Sequence, residues 1–223
     1  MINNNCIIQV TMKQLIITLL LLWAIPVMGM NHDVGYLYDS RDYVTCEIIS
    51  YGEVAGLNLW GFTDFYNEQR SKKPIKLSNY FMEYRLSYNL TEIGERFFQQ
   101  NSFELEAEYN GMTGNGNDLM RYGFVYTRNF FSGGFVKLRW HPLDSRSEYH
   151  KQYSLIHSIP LNKYLSFDGF YDYNVIADKS YVWVYEPSLV YNCFEPWSFT
   201  FIYRFDGYVK DKDGIAVGVF YKF

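Results

Sequence analysis

Cysteine is scarce in this chain: 3 in 223 residues, one of them Cys6 close to the N-terminus, with only Cys46 and Cys193 further on. Two cysteines far apart in sequence make no disulfide framework and match no metal-ligand spacing, and neither is assigned a role. Long apolar runs are missing after residue 25, which excludes helical membrane spans of about 20 apolar residues. A basic surplus is also missing. The formal net charge is −4, and a chain that grips phosphate backbones needs the opposite sign, so no nucleic acid is expected as a partner. Catalytic signatures are lacking as well: no HExxH, no Walker A and no dinucleotide-binding glycine pattern. A serine nucleophile and its base on one strand need a spacing of two, and neither His-x-Ser nor Ser-x-His occurs. His157 and Ser158 are neighbours and point to opposite faces. No catalytic residue, metal or cofactor is expected from these patterns.

The sequence does contain an apolar stretch, Leu15 to Ile25, preceded by Lys13 and followed by Pro26 and the small-residue site Val27-Met28-Gly29. A basic flank, a short apolar core and a small residue before the cut describe a secretory leader, so residues 1–29 are expected to be removed and 30–223 to form the mature domain. Met12 is the natural start of that leader. Loss of Lys13 with it makes the mature chain one charge more acidic.

Aromatic residues make up 20% of the chain, with 22 Tyr and 18 Phe, yet the mean hydropathy is −0.20. Rings in that number without apolar runs point to alternation. The last ten residues show it most clearly: Ile215, Val217, Val219, Tyr221 and Phe223 share one face, and Ala216, Gly218, Phe220 and Lys222 the other. Asn79 to Leu90 sets Tyr80, Met82, Tyr84, Leu86 and Tyr88 against Phe81, Glu83, Arg85, Ser87 and Asn89. Ser102 to Met112 opposes Phe103, Leu105, Ala107 and Tyr109 to Glu104, Glu106 and Glu108. Further strands are expected at 34–38, 43–51, 56–66, 119–128, 134–141, 148–158, 164–174, 181–191 and 197–208. The register of 148–158 is left open.

With the closing strand these make twelve, an even number, and the fold class expected is all-β: a closed antiparallel transmembrane β-barrel with both termini on the periplasmic side. On that parity Asn67 to Ser78 and the turn-forming cluster 113–118 face the cell exterior, while 52–55 and 129–134 are periplasmic. Residues 91–101 also fall on the periplasmic side, where their length is unusual. Outer-membrane lipid and the barrel-assembly machinery are the partners implied, with Phe223 as the terminal aromatic assembly signal, a feature in which the chain resembles bacterial outer-membrane barrels. The bacterial cell outer membrane is the expected location.

The succession Leu59-Trp60-Gly61-Phe62-Thr63-Asp64, a polar loop, and then Tyr80-Phe81-Met82-Glu83-Tyr84-Arg85, together with the aromatic C-terminus, resembles the Tsx-like nucleoside-specific channels and their smaller relatives. The later strands do not match motif by motif. The resemblance implies a narrow, aromatic-lined pore and passive diffusion of small hydrophilic solutes, nucleosides first among them. The pore-lining residues expected are Trp60, Phe62, Asp64, Phe81, Glu83, Arg85, Phe135, Arg139, Asp168, Phe170, Asp172 and Arg204. Rings stack on a base or sugar, and adjacent charged groups hydrogen-bond its hydroxyls. Two alternatives stand beside the channel: a barrel plugged by mutual pairing of its inward charges, serving a structural or surface-interaction role, and a lipid-modifying barrel enzyme.

Overall fold

The computed structural model describes residues 30–41, 43–54, 57–68, 79–90, 101–112, 118–130, 133–145, 151–175, 181–208 and 213–223. The leader, the loop through Ser78, residues 91–100 and the cluster 113–117 lie outside the described residues. Among the described residues there are thirteen strands: β1 Asn31–Asp39, β2 Tyr43–Val54, β3 Leu57–Glu68, β4 Asn79–Asn89, β5 Asn101–Met112, β6 Leu119–Asn129, β7 Phe135–Asp144, β8 Lys151–Pro160, β9 Leu165–Val175, β10 Tyr181–Tyr185, β11 Ser188–Phe194, β12 Trp197–Asp206 and β13 Asp213–Lys222. All ladders are antiparallel, and from β1 to β9 each strand pairs with its sequence neighbour, while β1 pairs with β13 from Asp33↔Lys222 to Asp39↔Ala216, closing the barrel. Closure pairs both edges that an open sheet would expose.

β10 and β11 are two halves of one stave, since both pair with β9 on one side and with β12 on the other. The barrel therefore has the twelve staves expected, but the single strand expected at 181–191 is interrupted at Glu186-Pro187. Pro187 has no N–H to give to the ladder. Around it the bonds that remain run from Glu186 N to Phe170 O at 3.0 Å and from Tyr203 N to Pro187 O at 3.0 Å. Gly169 makes the kink possible from the neighbouring stave: its φ is +154°, and a Cβ there would meet Glu186 O at 2.6 Å and Pro187 Cα at 2.8 Å. A second departure lies in β7, which continues past His141 to Asp144 through a register shift against β6 between Tyr122 and Phe124.

The pleat sorts side chains as the alternation predicts. Along β12, Trp197, Phe199 and Phe201 are exposed while Ser198, Thr200, Ile202 and Arg204 are buried. Ile215 and Val217 of β13, Tyr36 and Tyr38 of β1, and Leu86 and Tyr88 of β4 continue the outer apolar band. An apolar band on that scale is unsuited to water and suited to hydrocarbon, where a closed barrel leaves no backbone group unpaired. Among the described residues the apolar core inside is small: Leu37, Ile202 and Ala216 with Phe220 packed against them beside the closing seam, and Leu119 and Val125 on β6. The remaining interior is mostly polar. His157, whose register was left open, lies on the outer face opposite Gly169, between the rings of Phe167 at 4.6 Å and Tyr171 at 5.8 Å. Residue 150 lies outside the described residues.

Candidate pore lining

The inward face begins with β3 and β4. Their register sets Trp60 opposite Arg85, Phe62 opposite Glu83 and Asp64 opposite Phe81, so six of the expected lining residues form one patch, two wide and three high. The rings touch in series: Trp60 and Phe62 have centroids 5.7 Å apart at 65°, and Phe62 and Phe81 are 5.7 Å apart at 50°. Edge-to-face and tilted pairs of this kind keep positive ring edges against negative faces. The Arg85 guanidinium lies 4.5 Å from the Trp60 ring centroid and is ion-paired to Glu83.

Arg85 also leads into a larger network. Its Nε donates to Glu108 Oε2 at 3.1 Å, Arg121 Nη1 donates to Glu108 Oε1 at 2.6 Å, and Arg139 Nη2 donates to Glu108 Oε2 at 2.8 Å. Asn110 Nδ2 adds a fourth donor to Glu108 at 2.7 Å. Glu108 is 0% exposed, and a carboxylate so placed is tolerable only because three guanidinium groups surround it. Arg139 further pairs with Glu106, whose Oε1 lies 2.9 Å from His141 Nε2. His141 Nδ1 is 3.1 Å from Gln152 Oε1, and Gln152 Nε2 donates to Asp172 Oδ2 at 3.1 Å. A continuous polar chain thus runs from Arg85 on β4 to Asp172 on β9.

The opposite wall carries a separate group. Asp39 accepts from Arg41 Nε at 2.9 Å and Arg41 Nη2 at 2.7 Å, and Arg204 Nη1 approaches it at 3.7 Å. Arg204 Nε also lies 3.3 Å from Glu186. On the adjoining staves Glu47 faces Asp64 directly across the β2–β3 ladder.

Of the expected lining residues, Trp60, Phe62, Asp64, Phe81, Glu83 and Arg85 are brought together, and the network joins Arg139 and Asp172 to them. Arg204 belongs to the Asp39 group instead. Asp168 accepts from Ser166 at 3.0 Å, Phe170 faces Ile156, and Phe135 carries Lys137 Nζ at 5.4 Å from its centroid. The hub residues Glu106, Glu108, Arg121, His141 and Gln152 were not among the expected site residues. Three carboxylates at alternate positions of one strand were the available signal, and what they bind depends on the registers of β4, β6 and β7. Glu106, Glu108 and His141 present ligand atoms within 4.8 Å of one another, but Arg139 donates to both carboxylates, so a cation already fills that place.

Phe223 ends the seam, its N–H donating to His32 O at 2.9 Å and its ring 4.7 Å from that of Tyr221. Cys46 is a free thiol on the outer face opposite Tyr36, and the side chain of Cys193 lies outside the described residues.

No protein-family model matches the chain, and no curated protein matches it. Solved structures do. The KdgM porin aligns at a TM-score of 0.58 with 15% identity, over 86% of this chain and 99% of its own. The KdgM porin in complex with disordered oligogalacturonate aligns at 0.57 with 16% identity over the same shares. The COG4313 outer membrane channel from Pseudomonas putida F1 aligns at 0.47 with 10% identity, over 87% of this chain and 95% of its own. In fold, this chain is a closed twelve-stave antiparallel barrel similar to the KdgM porin.

Proposed function

We propose that this chain, exported behind a leader spanning residues 1–29, is an outer-membrane channel for passive diffusion of small hydrophilic solutes. The observation that carries this reading is the Trp60, Phe62 and Phe81 ring series set on the polar inner face beside Glu83 and Arg85, inside a barrel whose outer face is apolar. Nucleosides are the leading solute class. Rings of this kind stack on a base at about 1–3 kcal/mol by analogy with nucleic-acid contacts, and Glu83 and Arg85 supply an acceptor and donors for ribose hydroxyls. Binding that weak suits a channel, because the solute must also leave. The same residues carry the resemblance to Tsx-like channels. The chain acts without catalysis, and the exposed terminal Phe223 is its recognition element for the barrel-assembly machinery.

The test is liposome swelling with the purified mature barrel. Swelling in isotonic nucleoside at a rate exceeding that in a disaccharide supports the reading, and equal rates reduce it to an unselective small-solute pore. A second reading, a plugged structural barrel, is favoured by the burial of Glu108, Arg139 and His141 in one bonded network. Absence of swelling in any solute selects that reading.

A further inference from the structure

The inward charges are not balanced. Among the described residues every inward arginine approaches a carboxylate within ion-pair distance: Arg85 and Arg121 reach Glu108, Arg139 reaches Glu106 and Glu108, and Arg204 lies 3.3 Å from Glu186. The carboxylates outnumber them. Glu47, Asp64, Glu104, Asp168 and Asp172 also face inward, and among the described residues none of them lies within ion-pair distance of an arginine or lysine, the Arg204 that acts on Glu47 and Asp64 being held by Glu186 and Asp39. Glu104 is bonded by Ser87 and Ser102, Asp168 by Ser166, and Asp172 by Gln152, all of which are neutral. Glu47 and Asp64 face each other across a ladder, and Asp64 Oδ1 is buried without a hydrogen-bond partner. Two lysines offset part of this surplus. Lys137 lies over Phe135, and Lys222 sits opposite Asp33 at the end of the seam.

We infer that the lumen admits cationic and neutral solutes and rejects anionic ones, the inward surplus of carboxylates setting the sign and Glu47 and Asp64 contributing to it beside the rings. A surplus of one sign inside a low-dielectric wall focuses the field and concentrates counter-ions, and charged side chains lining a pore select by sign. Glu47 and Asp64 stand beside the Trp60, Phe62 and Phe81 rings, whose faces also attract cations. Organic cations carrying a flat ring are therefore a solute class suited to this wall. A polyanion such as oligogalacturonate, seen with the KdgM porin, is not suited to it. This inference rests on the channel reading above.

The experiment is a zero-current potential measurement across a planar bilayer of uncharged lipid, with the mature protein inserted and a tenfold KCl gradient applied. Potassium is expected to be severalfold more permeant than chloride. The Glu47→Gln/Asp64→Asn variant is expected to lower that ratio while still migrating as a heat-modifiable barrel. An Asp168→Asn/Asp172→Asn variant provides a second pair should the first not assemble, with a smaller loss in the same direction. Current with a ratio at or below one overturns the inference and leaves the channel reading standing. Absence of current from a folded barrel overturns both.

Discussion

Arg85 lies across the face of Trp60, 4.5 Å from the ring centroid, while its Nε bonds Glu108 at 3.1 Å. One side chain therefore joins the ring series of β3 and β4 to the ion network of β4 to β7. Such an arginine is held in place from two sides, and its planar fork and stacking surface are both in use. Arg85→Lys keeps the charge and loses the stacking surface and the fixed fork. Nucleoside-dependent reduction of conductance is expected to weaken several-fold in that variant and to fall to background in Phe62→Ala. Titration of single-channel current with a nucleoside checks both, and unchanged block in Phe62→Ala removes the rings from the account.

Glu108 is the acceptor for Arg85, Arg121 and Arg139, and its removal takes a shared counter-charge from all three, leaving Glu83 to Arg85 and Glu106 to Arg139. Breaking a buried ion pair by deleting one partner costs about 3–5 kcal/mol. Glu108→Ala is expected to lower the barrel's urea midpoint by an amount in that range, with Glu108→Gln intermediate because its amide oxygen still accepts. Equal midpoints for all three proteins contradict the hub role.

Gly169 accommodates the break between β10 and β11. Its φ of +154° and the 2.6 Å approach of Glu186 O leave no room for a side chain. Gly169→Val is expected to cost about 1–3 kcal/mol, on the scale of local backbone strain. The temperature at which the folded gel band converts to the unfolded one should fall accordingly, and Gly133→Val, which meets strain at a φ of +83° but no clash, should lower it less.

Much of this architecture was legible from period-two alternation, because a lipid-facing side chain and a lumen-facing one must take turns on every stave. Asn79 to Leu90 was read with the correct faces from that pattern. The halves of the interrupted stave were not, since alternation continues through Tyr185, Pro187 and Leu189 and the break follows from an absent N–H. The patch from Trp60 to Arg85 was legible because its residues lie on consecutive strands. The Glu108 hub was not, because it is assembled from four staves whose registers depend on turns and on the β7 shift. Arg41 escaped notice for a related reason: it sits in a turn, and only the fold lays it on Asp39.

Topology gives a separate expectation. Ser145, just past the end of β7, lies on the rim opposite the described chain ends, and Asn162 lies on the rim that holds them. Ser145→Cys is expected to react with an impermeant maleimide on whole cells, and Asn162→Cys only after lysis. The reverse pattern shows the barrel inserted in the opposite sense.

Deletion of Phe223 is expected to reduce the amount of heat-modifiable barrel in the outer membrane more than deletion of an exposed rim side chain such as Lys163→Ala. Equal amounts contradict the role given to the terminal ring.

The most direct measurement of the central claim is single-channel recording from the purified mature barrel in a planar bilayer. Discrete, ohmic current steps that added nucleoside reduces in a concentration-dependent way are expected. A barrel that is folded by its gel shift and yet passes no current contradicts it.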